Sequence, residues 1–248
     1  MVLDGDADMG NYKLVAFDID GTLTMDRTSV RLSLAAIQAL IKLEEHGIMA
    51  SLISGNMLPV VAGLKRYLGL SGPAIGETGC IVYFDERNID VLTKYSTKNV
   101  AKDIVSRFGE YIYESWQNMF RFYDFALKIK KEYRHQANEI YLMIKMYVEQ
   151  RYDFVKVGFS GYAIHLTPID AGKAYALKYI MEKLGLSKDE VIGVGDSILD
   201  YDFMKEAGLS VAVANADEEL KKNVAIVLSK PSGEGVAELV EMIVSGKI

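Results

Sequence analysis

Leu14-Val15-Ala16-Phe17-Asp18-Ile19-Asp20-Gly21-Thr22 is the stretch that decides the fold. Four apolar residues between Lys13 and Asp18 read as a short buried strand, the kind found in parallel sheets whose strands alternate with helices. Downstream, Val30, Leu34, Ile37 and Ile41 share one helical face, with Ser29 as the expected cap and Gly47 as the stop. Ile48 to Ile53 returns as a strand. Pro59 stands where a first helical turn tolerates it, opening a helix with Val60, Val61, Leu64 and Leu68 inward. Ala74-Ile75 and Cys80 to Phe84 then read as short strands around a turn at Glu77-Thr78-Gly79.

The rhythm changes over residues 85–167, which hold the single tryptophan, Trp116, and most of the 15 tyrosines. Here the pattern predicts a strand near Ile89–Leu92, a helix from about Lys98, a strand Tyr123–Ile129, a helix near Ala137–Glu149, and strands Phe154–Val157 and Ala163–Leu166. The aromatic enrichment reads first as the core of a small domain. Helical spacing of Tyr113, Trp116 and Phe120 offers a dimer face as the second reading. After Pro168 the βα alternation resumes: a helix with Leu177, Ile180, Met181 and Leu184, a strand Val191–Val194, and a helix to Ala207-Gly208. A strand Val211–Ala214, a short helix, a strand Ala225–Leu228 and a last helix with Val236, Leu239, Val240 and Ile243 follow. The whole predicts an α/β fold: a doubly wound parallel-sheet core, 1–84 and 168–248, with a smaller α/β cap inserted at 85–167.

Composition narrows the function. The 248 residues are 50% hydrophobic and 25% charged with only 4 prolines, which excludes a disordered or collagenous chain. A net charge of −6 argues against a general nucleic-acid binder. One cysteine and 3 histidines leave no basis for a disulfide framework or a Cys/His zinc site, so a metal would be held by oxygen. The polar, acidic start ending Asp8-Met9-Gly10-Asn11 is unlike a secretory leader. The uncharged run Gly47 to Leu64 is broken by Ser54-Gly55-Asn56 and Pro59, so it reads as strand, loop and helix rather than a membrane span. A cytoplasmic protein without a membrane partner is expected.

Four pieces carry chemistry. Asp18 and Asp20 leave the first strand at its carboxyl end, where ligands of open α/β sheets bind, and Gly21 permits the sharp turn that presents them. Two acids so close need a cation or a shared proton. Asp196 and Asp200, in Val194-Gly195-Asp196-Ser197-Ile198-Leu199-Asp200, leave a second strand end. Four carboxylates with no soft ligand nearby fit magnesium. Ser54-Gly55-Asn56 lies between strand and helix, where a hydroxyl, a glycine and free backbone N–H groups suit phosphate oxygens. Lys173 opens a helix, against the dipole, where a cation usually meets an anion.

In this order the four pieces resemble the haloacid dehalogenase superfamily of phosphohydrolases, whose pattern is hhhhDxDGT, a hydroxyl residue after a strand, a lysine, and GDxxxD. The resemblance runs from Leu14 to the C-terminus and includes the insertion point of the second cap class, the Cof and sucrose-phosphatase-like group. Ser51 to Asn56, Pro59-Val60-Val61, Ser71-Gly72-Pro73 and Gly161 to Leu166 look like the archaeal phosphoglycolate phosphatases within it. Two positions depart from the pattern: Gly172, where relatives often carry Asp, and Leu199, where many carry Asn.

The resemblance implies Asp18 as nucleophile through an aspartyl-phosphate, and Asp20 as general acid and base. It implies Mg²⁺ on Asp18, Asp20, Asp196 and Asp200, with Ser54, Gly55, Thr22 and Lys173 on the phosphate. The substrate it implies is 2-phosphoglycolate, giving glycolate and phosphate. A sugar-phosphate phosphatase, a phosphomutase and a non-catalytic phosphate binder are the alternatives, the last disfavoured because binding alone needs neither nucleophile nor acid. Among basic cap residues, Arg121, Lys128, Lys130, Lys131 and Arg134 are candidates to meet a substrate carboxylate, with a solvated face the first reading for most of them. A small phosphorylated substrate and a homodimer are the partners expected.

Overall fold

A computed structural model of the chain describes residues 12–161 and 163–248. The acidic start read against a secretory leader, and Tyr162, lie outside the described residues. In chain order the elements are β1 (Leu14–Phe17), α1 (Leu34–Glu45), β2 (Met49–Ile53), α2 (Leu58–Leu68), β3 (Ala74–Gly76), β4 (Ile81–Asp85), β5 (Asn88–Val91), α3 (Lys98–Phe108), β6 (Ile112–Glu114), β7 (Phe125–Ile129), α4 (Ala137–Glu149), β8 (Val155–Phe159) and β9 (Ile164–Pro168). Then come α5 (Lys173–Leu184), β10 (Val191–Gly195), α6 (Tyr201–Met204), β11 (Leu209–Ala212), α7 (Glu218–Lys221), β12 (Ile226–Val227) and α8 (Ser232–Val244). The fold is α/β, as expected. Its contacts divide it into two compact units, one of Met1–Ile53, Gly63–Pro73 and Leu177–Ile248, the other of Ser54–Ala62 and Ala74–Ala176. No helix among the described residues is long and apolar enough to cross a membrane.

In the first unit, β12, β11, β10, β1 and β2 form parallel neighbours in that order. Strand β1 lies between β10 and β2, with Leu14 opposite both Val191 and Met49. All four β1 residues are 0% exposed, which is why its sequence is an unbroken apolar run rather than an alternating one. On α8, Val236, Leu239, Val240 and Ile243 are all 0% exposed, the face the sequence selects.

Helix α1 corrects the sequence reading twice. Its cap is Ser33, whose hydroxyl accepts the Ala36 N–H. Ser29 instead sits in a turn, its N–H and that of Thr28 bonded to the Asp26 carboxylate. The inward face is Ala36, Ala39, Leu40 and Leu43, whereas Val30 and Leu34 are 88% and 68% exposed. Small residues choose this face: a Cβ on Gly233 of α8 would lie 2.2 Å from Ser33 Cβ and 3.1 Å from Ala36 Cβ. Close approach of the two helices turns the alanines inward and the bulkier stripe away. Another departure is Lys65, buried, whose ammonium donates to the carbonyls of Leu70, Ser71 and Gly72 after α2. A cation there satisfies the carbonyls beyond a helix end that would otherwise need water.

The second unit carries an antiparallel sheet in the order β6-β7-β9-β8 and an antiparallel ribbon β3-β4-β5. Val100, Ala101 and Ile104 of α3 and Ile140, Ile144 and Val148 of α4 pack with Phe125, Leu127, Ile164 and Leu166 of the sheet. Burying each large side chain of this set contributes roughly 1.5–3 kcal/mol. Tyr111, Tyr133, Tyr141, Tyr147 and Tyr152 ring the cluster half-buried, so the aromatic enrichment belongs to a small core. Two of them, Tyr147 and Tyr152, donate hydroxyls to Asp103 at 2.9 Å. Tyr113 lies on strand β6 and Trp116–Phe120 is a 3-10 turn, so the helical spacing expected of Tyr113, Trp116 and Phe120 does not exist. All three side chains are nonetheless exposed.

Candidate active site

The carboxylates of the first unit are delivered by neighbouring strand ends. Phe17 of β1 pairs with Val194 of β10, and the Asp18 N–H continues that ladder onto the Val194 carbonyl at 3.0 Å. Asp18 and Asp196 thus leave the sheet at the same edge. Gly21 turns the chain with φ +96°, and a Cβ there would lie 2.3 Å from Asp196 Oδ2. Only glycine meets both demands. The turn is tied by Gly21 N–H on Thr24 Oγ1 at 2.8 Å and Leu23 N–H on the Ile19 carbonyl at 2.9 Å. Asp200 ends a 3-10 turn, and its Oδ2 accepts the Ser197 N–H at 3.1 Å.

Asp18, Asp196 and Asp200 are all buried, and each offers an oxygen within 4.8 Å of the others. Carboxylates so gathered repel unless a cation joins them, and a donor set of oxygens alone fits Mg²⁺. Asp20 is exposed and its carboxylate is not part of this cluster. Thr22 is 0% exposed, its hydroxyl 3.4 Å from Asp196 Oδ1. Leu199, at the departure from the family pattern, is 46% exposed.

Two residues of this site escape a reading of the sequence. Arg27 pairs through Nε with Asp196 Oδ2 and through Nη1 with Asp217 Oδ1, both at 2.7 Å. Asp217 in turn accepts the Ile198 N–H at 2.9 Å and donates its own N–H to the Asp196 carbonyl at 2.8 Å. Burial pushes the Asp217 carboxyl up, but the Arg27 bond and the Ile198 N–H hold it below its ordinary value. Arg27 therefore grips both Asp196 and the loop behind it. The one local signal was the turn Asp26-Arg27-Thr28-Ser29, which fixes where Arg27 leaves the chain.

In the second unit, Ser54-Gly55-Asn56 forms the loop before α2. Ser54 N–H reaches the Ile75 carbonyl at 2.9 Å, and the N–H groups of Glu77 and Thr78 reach the carbonyls of Asn56 and Ser54 at 2.8 and 3.1 Å. The expectation of free N–H groups along this loop needs correcting. Asn56 N–H is spent on Ser54 Oγ and Met57 N–H on Gln117 Oε1, both at 3.0 Å. Ser54 Oγ also accepts Asn56 Nδ2 at 3.0 Å, so this hydroxyl, accepting twice, has its proton left for donation. Lys173 is half-buried at the first position of α5.

Of the five basic cap candidates, Arg121 is buried, Lys128 and Lys130 are half-buried, and Lys131 and Arg134 are exposed. Arg121 is committed to the protein itself: Nη1 pairs with Asp124 Oδ1 at 2.7 Å and Nη2 donates to the Gly55 carbonyl at 2.6 Å. Asp124 Oδ1 also meets His165 Nδ1 at 3.0 Å, and Oδ2 accepts the Thr167 hydroxyl at 2.6 Å. Burial pushes the Asp124 carboxyl up, yet the His165 charge and bond, Arg121 and Thr167 hold it below its ordinary value. Glu77, 0% exposed, accepts the N–H groups of Phe122, Tyr123 and Asp124, and burial pushes its carboxyl up despite them.

Comparison with known proteins bears on this geometry. The haloacid dehalogenase-like hydrolase family model matches residues 15–149 and 126–240. A phosphoglycolate phosphatase of Staphylothermus marinus is 58% identical over 93% of this chain and 97% of its own length. One of Sulfolobus acidocaldarius is 36% identical, over 95% of this chain and 98% of its own. Among solved structures, a Thermoplasma acidophilum protein superposes with a TM-score of 0.79 at 26% identity, over 94% of this chain and 99% of its own. A haloacid dehalogenase-like hydrolase from Bacteroides thetaiotaomicron shares the fold, with a TM-score of 0.74 at 22% identity, over 94% and 99%. Strand-end aspartates gathered for an oxygen-loving cation, a serine loop before a helix and a lysine opening another agree with those matches, and the chain belongs to the haloacid dehalogenase-like hydrolase family.

Proposed function

We propose that this enzyme hydrolyses 2-phosphoglycolate to glycolate and phosphate through an aspartyl-phosphate on Asp18. The observation that carries the chemistry is the buried trio Asp18, Asp196 and Asp200 at adjoining strand ends. The substrate is supported by the relative of 58% identity, a phosphoglycolate phosphatase. In this reading 1–84 and 168–248 act as the catalytic core and 85–167 as a cap that selects the leaving group.

An Asp18 oxygen attacks phosphorus while the ester bond to the glycolate oxygen breaks, and Asp20 gives that oxygen its proton. Asp20 then takes a proton from water, whose oxygen attacks the same phosphorus and frees Asp18. Asp18, Asp196, Asp200 and the Asp20 carbonyl would hold Mg²⁺, which would supply charge neutralisation between a carboxylate and a phosphate dianion. The Ser54 hydroxyl, the Gly55 N–H and Lys173 steady the phosphoryl oxygens, with Thr22 supporting Asp196. A cytoplasmic setting, a homodimer through the exposed Tyr113–Trp116–Phe120 surface, and no nucleic-acid or membrane partner complete the reading.

The test is phosphate release in Mg²⁺ from 2-phosphoglycolate and from a sugar phosphate, with no added acceptor, before and after EDTA. Release from 2-phosphoglycolate at least tenfold more efficient than from the sugar, abolished by EDTA and restored by Mg²⁺, is expected. Preference for the sugar phosphate transfers the enzyme to the sucrose-phosphatase-like class. Dependence on a phosphoryl acceptor makes it a mutase.

A further inference from the structure

The charge network of the second unit converges on one imidazole. Asp124 is 0% exposed, and its oxygens are taken by Arg121, His165 and Thr167. Held ionised by these partners, the carboxylate can only accept, so His165 Nδ1 carries a proton and points it at Asp124. The Thr78 hydroxyl lies 3.5 Å from the same nitrogen. This fixes the ring plane and turns Nε2 the other way. The ring's far side lies on the serine loop: a Cβ built on Gly55 would stand 2.9 Å from His165 Cε1 and 3.3 Å from Nε2. The Gly55 carbonyl is meanwhile held by Arg121. One buried aspartate therefore positions both an arginine bound to the loop's carbonyl and a histidine beside the loop's glycine. The histidine side chain keeps 16% exposure, while Arg121 keeps 2%. Of the two, only the histidine has an edge to offer a ligand.

We propose that His165 contacts the substrate and selects for its carboxylate, giving Nδ1–H to Asp124 and Nε2–H to the carboxylate of 2-phosphoglycolate. This rests on the phosphoglycolate reading. In that substrate the carboxylate is one methylene from the ester oxygen. Whatever recognises it must therefore stand beside the loop that holds the phosphate, as His165 does. Glycine at position 55 leaves room for the ring, and a larger residue would push the imidazole off the loop. Asp124 and Arg121 act through it and are positioning residues.

The experiment compares kcat/KM for 2-phosphoglycolate with that for ethyl phosphate, which has the same ester but no carboxylate. His165→Asn keeps a donor close to the Nδ1 position for Asp124 and removes Nε2. His165→Gln keeps a donor close to Nε2 and loses the one to Asp124. The preference of the wild type for the carboxylate ester should fall roughly ten- to a hundredfold in His165→Asn, the range for one hydrogen bond to a charged group. It should fall less in His165→Gln, with the change in His165→Asn carried by KM. Circular dichroism and Tm of both variants report folding. If only the Gln variant folds, a preference that falls in it while staying above unity supports the proposal, and one unchanged from the wild type overturns it. Equal losses on both substrates, or a preference intact in His165→Asn, overturn the proposal and leave the phosphoglycolate reading standing. A wild type that turns over ethyl phosphate as well as 2-phosphoglycolate overturns both.

Discussion

Two sets of buried aspartates divide the labour of this protein. Asp18, Asp196 and Asp200 crowd their oxygens within 4.8 Å of one another, with Arg27 on one of them. Asp124 stands as one carboxylate among Arg121, His165 and Thr167. Both sets are buried, so burial does not separate them. The difference is whether like charges are grouped together or matched one against another. Grouped carboxylates are costly until a cation arrives, and that is a binding site. A matched carboxylate is already satisfied and acts as a brace. Charge balance distinguishes a site from a scaffold better than burial does.

The sharpest break in that comparison is Asp18→Asn. Removing the attacking oxygen with a near-isostere should lower turnover of the best substrate by about four orders of magnitude or more, comparable to losing the nucleophile of other covalent enzymes. Tm should stay near or above that of the wild type, because one member of a repelling cluster is gone. Ordinary turnover in this variant would end the covalent scheme.

Asp124→Asn should behave in the opposite way, striking stability first. Neutralising the middle of a matched network leaves Arg121 buried without its counter-charge, a loss of about 3–5 kcal/mol. The pH dependence has a definite sign. The folded carboxyl lies below its ordinary value, so its contribution is complete above an unfolded pKa of about 3.9 and is lost as pH falls through the folded value. Urea unfolding should show the gap between wild type and variant closing as pH falls below about 4, and a gap that widens there would contradict the network as drawn.

The smallest expected effect joins the two regimes. Arg27→Ala frees one oxygen of Asp196 and uncouples Asp217 from it. Groups that orient a metal ligand typically change affinity ten- to a hundredfold. Calorimetric titration with Mg²⁺ should show a drop of about tenfold, and the rise of Tm with added Mg²⁺ should shrink accordingly. Unchanged affinity would make Arg27 a surface ion pair and nothing more.

The parts of the molecule legible in the sequence are those whose cause is local. The run Leu14–Phe17 is apolar because β1 is buried on every side, and the Asp18 to Thr22 turn follows from Gly21. Helix α8 shows its face because one stripe is apolar. Helix α1 does not, since its sequence offers two apolar stripes and only contact with Gly233 selects between them. Strand β6, three residues with only Ile112 buried, is too short to leave a period-two pattern. The Asp124–His165 pair is 41 residues apart and the Arg27–Asp217 pair 190, so nothing local announces them. Among the basic cap residues, Arg121 reads like the others until its buried carboxylate is seen.

The turn at Glu77 and Thr78 has a consequence for the time course of binding. Both residues hold φ near +50°, at 50° and 55°, a left-handed conformation that is unfavourable for a β-branched threonine. Such residues cost on the order of 1–3 kcal/mol each and persist only where the surroundings leave no alternative. Here the Glu77 and Thr78 N–H groups are bonded to the Asn56 and Ser54 carbonyls, and the Glu77 carboxyl to three consecutive N–H groups of the cap. The serine loop is thus ordered when the chain folds and not when a ligand arrives. On the proposed reading a phosphate ester meets a loop already braced by these bonds, so its on-rate should carry no delay from loop rearrangement, and the entropy of arranging those residues is absent from the affinity.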